Sequence, residues 1–392
     1  MCNTDSEEQV EEEKTMNKEK VWPLDDSDDG FMNTHLESLQ ISAPGIQSLT
    51  NLSSPQLETI SENKVVIDSK QNELPNFIPV IRSGECSDIG GRQYMEDTSV
   101  CISDLAQKFG CNSFDGEERI SFFGVFDGHG GKDAAHFVRD NLPRLIVEDS
   151  YFPLELEKVV TRSFNETDAR FARNCILQSA LSSGTTALTA MIFGRSLLVA
   201  NVGDCRAVLS RLGVAVEMSK DHRPCCVKEQ KRIESLGGYI DDGYLNGQLG
   251  ITRALGDWHI KGLKSKETNG EEQIGPLSAE PELKLITLTK DDEFLVIASD
   301  GFWDVFRSEN AIQFARRRLQ EHNDVKLCCK EMVEEAIKRG AMDGLTMDNL
   351  TVLIVCFHSE PPVDVAVHNS RSAIKRSISA EGLQSLRGLL ES

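Results

Sequence analysis

The chain has 392 residues and a hydrophobic content of 39%, enough for one large domain or two ordinary ones with a sizeable core. Its formal charge of −21, with no basic stripe to offset it, repels nucleic-acid backbones and excludes nucleic-acid binding as an expected function. No run of about 18 uninterrupted apolar residues exists to span a membrane, and the acidic N-terminus lacks the apolar stretch of a secretory signal.

Residues 1–30 carry 11 Asp or Glu against 3 Lys, a net of −8 and over a third of the excess charge. Polar composition continues beyond them, so residues 1–79 read as an acidic arm without fixed structure. Near Val80 the texture changes to short apolar runs bounded by Gly, Asp or Asn. The alternation predicts strands over Ile120–Phe126, Ser196–Val202, Ala207–Ser210, Val214–Met218, Phe294–Ala298 and Leu350–Phe357. Arg211-Leu212-Gly213 supplies a hairpin turn. Helical spacing appears over Lys132–Ile146, Leu154–Ala172, Asn310–Gln320 and Cys328–Lys338. Strands in runs and helices in pairs favour a mixed fold with antiparallel sheets over a doubly wound parallel sheet. Residues 80–358 are therefore expected to form one domain and 359–392 a Ser-rich tail. In that tail Lys375-Arg376-Ser377-Ile378-Ser379 has the form of a kinase target. The 11 cysteines are odd in number and form no CxxC pair, which predicts reduced thiols in a cytoplasmic or nuclear protein, a monomer by default.

The informative pattern is where the acids stand. Phe122-Phe123-Gly124-Val125-Phe126 runs into Asp127-Gly128-His129-Gly130-Gly131. The strand ending at Val202 runs into Gly203-Asp204, and the one ending at Ala298 into Ser299-Asp300-Gly301. Asp348-Asn349 immediately precedes Leu350. Asp and Gly commonly end strands because they suit turns. Four acids on the most apolar strands are harder to read that way. If the strands share one sandwich, the carboxylates meet at one edge and offer the all-oxygen surroundings that Mg²⁺ or Mn²⁺ prefers. No HExxH or His/Cys cluster points to zinc. Gly128 permits close approach of its own carbonyl, and His129 can serve as an acid near neutrality. Arg92 offers a planar fork for phosphate oxygens, with Glu96 and Asp97 beside it.

In their order these segments resemble the type-2C, metal-dependent family of protein serine/threonine phosphatases, over roughly Arg82 to His358. They are Arg92 with Met95-Glu96-Asp97, Phe126–Gly131, Ser183–Ala187, Ala200–Arg206, Leu249–Asp257, Ala298–Val305 and Asp348–Thr351. The texture is most similar to plant members with an acidic extension. The resemblance implies an α+β fold, a central β-sandwich of two antiparallel sheets flanked by α-helices. It implies two Mn²⁺ or Mg²⁺ ions that activate water to attack phosphorus in phosphorylated proteins. Asp127, the Gly128 carbonyl, Asp300, Asp348 and Glu96 would hold them. Asp97, Asp204 and Asp304 would support these ligands or a weaker third ion. Arg92 would grip the phosphate and His129 would protonate the leaving oxygen. Residues 237–266 would form a flap. That flap holds Asp242–Gly247 without tryptophan, so the lock used by abscisic-acid co-receptors of the family is not expected.

Two other classes compete. A cysteine-dependent phosphatase needs Cys-x₅-Arg, which Cys86–Arg92, Cys205–Arg211 and Cys226–Arg232 all satisfy; three matches show how weak that pattern is. A catalytically silent binding module would need the acids lost, and all are present. Gly128–Asp133 lacks the spacing of a phosphate-binding loop.

Overall fold

The structure is a computed structural model and describes residues 77–110, 119–177, 182–264, 266–268, 271–344 and 347–363. Most of the acidic arm and of the tail, including the Lys375–Ser379 motif, lies outside the described residues.

Ten strands make the sandwich: β1 (Arg82–Asp88), β2 (Thr98–Ile102), β3 (Ile120–Phe126), β4 (Ala187–Phe193), β5 (Ser196–Val202), β6 (Arg206–Arg211), β7 (Val214–Glu217), β8 (Glu282–Thr287), β9 (Asp292–Ala298) and β10 (Leu350–Cys356). They form two five-stranded sheets, ordered β1-β10-β9-β6-β7 and β8-β5-β4-β3-β2. All neighbours in both are antiparallel. The central strands are mostly apolar because both of their faces are covered. On β3, Phe123 and Val125 point between the sheets while Phe122 and Phe126 point outward onto helices. On β10, Leu353 and Val355 point inward and Val352, Ile354 and Cys356 outward. The outer face of one sheet carries α1 (Asp133–Glu148) and α2 (Leu156–Leu177). The other carries α3 (Ser308–His322) and α4 (Val325–Met342). The four layers are those the resemblance implies.

The helix boundaries have local causes. Asp324 caps α4 by accepting from the backbone N–H groups of Lys326 and Leu327. Asn323, in the left-handed conformation at φ 49°, ends α3. The expected strands are present with ends shifted by up to two residues, and the helices extend past their expected ends. Arg82–Asp88, Thr98–Ile102, Ala187–Phe193 and Glu282–Thr287 are strands beyond those expected. Three of them are edge strands with mixed patterns, because one face meets solvent. Ala187–Phe193 is a buried central strand, and periodicity alone does not tell its short Ala- and Met-containing run from a helix.

Leu353 sits fully buried between the sheets. Leu353→Ala should lower unfolding free energy by about 2–5 kcal/mol with little change in the urea m-value. A change below about 0.5 kcal/mol would place Leu353 outside a packed core.

Candidate functional site

Register brings the acids together. Thr98, which opens β2, pairs with Phe126, which closes β3. Ala187, which opens β4, pairs with Val202, which closes β5. In the other sheet, Ala298 closes β9 opposite Val352, two residues into β10. Asp97, Asp127, Asp204, Asp300 and Asp348 therefore all leave the strands at the same edge of the sandwich. Their charges act on one another: burial first, then Asp97, Asp300, Asp204 and Asp348, hold the Asp127 carboxyl well above the usual carboxylate range. Burial raises Asp97 to about 6, and burial with the charge of Asp300 raises Asp204 to about 7. Asp300 is also raised, by burial and then by Asp304.

The loops carrying these acids are pinned by backbone groups. The Asp127 N–H donates to Thr186 Oγ1 at 3.0 Å, and its carbonyl accepts from the Thr186 N–H at 2.9 Å. Asn349 accepts from the Glu96 N–H at 2.8 Å and donates to the carbonyls of Ile89 and Tyr94. A Cβ at residue 128 would lie 2.5 Å from the Glu96 carbonyl oxygen, so only glycine lets those two backbones meet.

Two arginines enter the acidic cluster. Exposed Arg92 donates to Asp348 Oδ2. Arg223 places Nε 2.9 Å from Asp204 Oδ2, and Nη2 3.2 Å from Asp300 and 3.7 Å from Asp304. Sequence reasoning had given Arg223 no role, because it lies in a polar loop remote from every acid it meets. Among the described residues, no three His, Cys, Asp or Glu side chains already close on one point as a finished metal cage. Like-charged carboxylates repel, and the two arginines pair with four of them, Asp204, Asp300, Asp304 and Asp348. The donor set still fits a hard divalent cation. It is acidic and all-oxygen, and Asp97 Oδ2 is buried with no hydrogen-bond partner.

His129 lies beside this cluster on a small sheet. Gly128–His129 pairs with Gly184–Thr185, which pairs with Leu255–Gly256. His129 Nε2 is 2.9 Å from Asp257 Oδ2. Burial alone would lower the imidazole pKa, but the hydrogen bond and charge of Asp257 outweigh it and the net shift is upward. Asp257 had been read only as part of a motif. Its partner is 128 residues away, so no local spacing reveals the pair.

The flap begins after the helix Val227–Ser235. Its tip is a hairpin, Ile240–Asp241 with Tyr244–Leu245, turned by Asp242 and Gly243 at φ 48° and 82°. Buried Glu229 ties the flap's base together. It accepts from Arg253, Arg232 and Thr252 at 2.7–3.0 Å.

The cysteine-dependent alternative finds no support in the geometry. Cys86 stands inside β1 and burial pushes its thiol up; Cys205 is buried and raised well above the ordinary thiol value. A thiolate nucleophile needs the opposite shift.

The comparisons agree with this arrangement. The family model described as Protein phosphatase 2C matches residues 81–345. The chain is 68% identical over 336 residues to a rice protein named "Probable protein phosphatase 2C 27", covering 86% of this chain and 92% of that one. It is 52% identical over 331 residues to "Probable protein phosphatase 2C 22" of Arabidopsis thaliana, covering 84% and 81%. The fold is similar to that of a crystallised serine-threonine phosphatase 2C from Toxoplasma gondii, with TM-score 0.60 at 21% identity over 72% of this chain and 98% of that one. The fold and the relatives thus define the class as a hydrolase, a protein phosphatase. The chain belongs to the protein phosphatase 2C family and is a plant-type member of it.

Burial would raise the Glu229 carboxyl, but Arg253 and Arg232 overcome it and hold the group at about 2, against an ordinary 4.5. A depressed carboxyl stabilises the fold above its unfolded value and loses that contribution as pH falls through its folded value. Wild type should therefore exceed Glu229→Gln in urea stability at pH 7, with the gap narrowing from about pH 4.5 downward. A gap independent of pH would show that the Glu229 charge contributes nothing.

Proposed function

We propose that this phosphatase removes phosphate from phosphoserine and phosphothreonine in proteins through two Mn²⁺ or Mg²⁺ ions. The observation carrying the reading is the meeting of five aspartates at one sandwich edge, flanked by Arg92 and His129. Asp127, the Gly128 carbonyl, Glu96, Asp300 and Asp348 would hold the ions, with Asp97 and Asp204 supporting them and Asp304 available to a weaker third. Bound there, the ions would supply charge neutralisation at the phosphate and water made acidic enough to attack phosphorus at neutral pH.

The chain's own groups do the rest. Arg92 reaches into the cleft from an exposed position, and its fork suits two equatorial phosphate oxygens. His129 gives Nε2 to Asp257, which leaves Nδ1 as the nitrogen that can carry the transferable proton. As the bond between phosphorus and the serine or threonine oxygen breaks, its electron pair stays on that oxygen and the His129 proton neutralises it. No covalent intermediate on the chain is required. Among the described residues, no helix is long and apolar enough to cross a membrane. The nine described cysteines are all free thiols, which supports a reducing compartment such as cytosol or nucleus.

Phosphate release from a phosphothreonine peptide should vanish with excess EDTA, return with added Mn²⁺ or Mg²⁺, and survive thiol alkylation. Asp127→Asn and Asp300→Asn should each cut turnover on the order of 10²–10³-fold or more while leaving the circular dichroism melt intact. Full turnover by either variant at saturating Mn²⁺, or a folded wild type inert with every metal, would sink the reading. His129→Ala should slow the peptide reaction by about 10²–10⁴-fold. It should slow p-nitrophenyl phosphate hydrolysis far less, since that leaving group departs without a proton. Equal losses would remove His129 from the acid role.

A further inference from the structure

Behind His129 stands a second, fully internal chain of polar contacts. Asp257 holds His129 from an unfavourable backbone conformation. Its φ is +59°, and the preceding Gly256 is at +87°. A non-glycine residue in the left-handed region is disfavoured by its own Cβ and persists only where its surroundings over-determine it. One restraint is visible at once: the Asp257 N–H donates to the Ser183 carbonyl at 3.0 Å. Gly184 leaves the slot in which the two side chains meet, since a Cβ there would stand 2.2 Å from Asp257 Oδ2 and 2.4 Å from His129 Nε2.

The other restraint comes from α2. Asp168, 5% exposed, lies in that helix and makes no contact with the acidic cluster among its recorded bonds. Its Oδ1 accepts from the Gly256 N–H at 2.7 Å and from Trp258 Nε1 at 3.0 Å, so one carboxylate oxygen grips the residues on both sides of Asp257. Its Oδ2 accepts from Lys264 Nζ at 3.0 Å, and Lys264 also donates to the Ala254 carbonyl at 2.7 Å. Lys264 is 6% exposed, so this ion pair is internal, and its ammonium lies 5.6 Å from the centre of the Trp258 ring. A buried carboxylate with a charged partner and two further donors is a costly arrangement to place in a helix merely for stability, since an apolar set of the same volume often serves as well. Its geometry is specific to the segment that presents Asp257.

We propose that Asp168 is a positioning residue for the acid step. Through Gly256 and Trp258 it holds Asp257 in its left-handed conformation, and through Asp257 it holds His129 with Nδ1 turned to the leaving oxygen. The inference rests on the reading of His129 as the acid. It extends the chemistry to a helix on the outer face of the sandwich, 88 to 96 residues before the contacts it makes. A residue that acts this way affects only the reaction that needs the proton. A residue that merely supports the fold affects every substrate alike.

The test is kinetic, on the full chain at saturating Mn²⁺, with a phosphothreonine peptide and p-nitrophenyl phosphate side by side. Asp168→Asn should lower kcat on the peptide on the order of tenfold to a hundredfold, part of the range open to a general acid. It should leave KM on both substrates and kcat on the aryl phosphate within about twofold of wild type, a margin well below that of a lost catalytic group. The aryl phosphate rate doubles as a check on the fold. Trp258→Phe removes one donor to Asp168 while keeping an aromatic ring at that place; it should show a smaller split in the same direction and decides the matter if Asp168→Asn does not fold. Equal losses on both substrates, or no loss on the peptide, would overturn the proposal. His129→Ala assayed alongside separates the two levels. A split in His129→Ala with none in the Asp168 and Trp258 variants removes only Asp168 from the mechanism. No split in His129→Ala removes the acid reading beneath it.

Discussion

Mutual repulsion among five aspartates crowded at one edge, two of them buried, is the constraint around which this molecule is arranged. Nothing in the chemistry of Asp97, Asp127, Asp204, Asp300 and Asp348 favours their meeting; burial and one another's charge push the Asp127 carboxyl far above its ordinary range. They meet because ten strands in fixed register deliver them to one edge, and because a four-layered core makes that register costly to shift. A one-residue slip of β3 or β10 would turn the faces of Phe123 or Leu353 away from the inter-sheet core. The apolar interior thus holds an electrostatically unfavourable edge in place. Hard cations are the natural complement of such an edge, and the arginines at 92 and 223 are its internal counter-charges.

The same logic explains the division of labour around His129. As the proposed acid, His129 would need to hold a proton near neutrality, whereas burial alone favours the neutral ring. Asp257 reverses that preference, but to do so it must stand in a backbone conformation that its own side chain disfavours. The strain moves outward: from His129 to Asp257, from Asp257 to Gly256 and Trp258, and from these to Asp168 and Lys264 in the interior.

Much of this was legible in the sequence, for reasons that particular residues make plain. Strands β3, β5 and β10 were readable because both of their faces are covered, so Ile120–Phe126, Ser196–Val202 and Leu350–Cys356 are predominantly apolar, broken only by Ser121, Gly124, Ser196, Asn201 and Thr351. Asp127, Asp204, Asp300 and Asp348 were readable because each abuts such a run. Edge strands such as β1 and β8 were not, since their exposed faces dilute the pattern. The roles of Arg223, Asp168 and Asp257 were not readable either. Arg223 meets Asp300 across 77 residues and Asp168 meets Trp258 across 90, distances over which only the folded chain relates them. Local sequence announces an acid at the end of a strand; it is silent on what holds that acid's neighbours.

The central claim is that the aspartate edge is a cation site, and its most direct test is calorimetric titration of Mn²⁺ into the metal-free full chain beside its Asp127→Asn variant. The account predicts saturable uptake of two ions by wild type and loss of at least one of them when the Asp127 charge is removed. A folded wild type that takes up no Mn²⁺, or an Asp127→Asn chain that binds as wild type does, would contradict it.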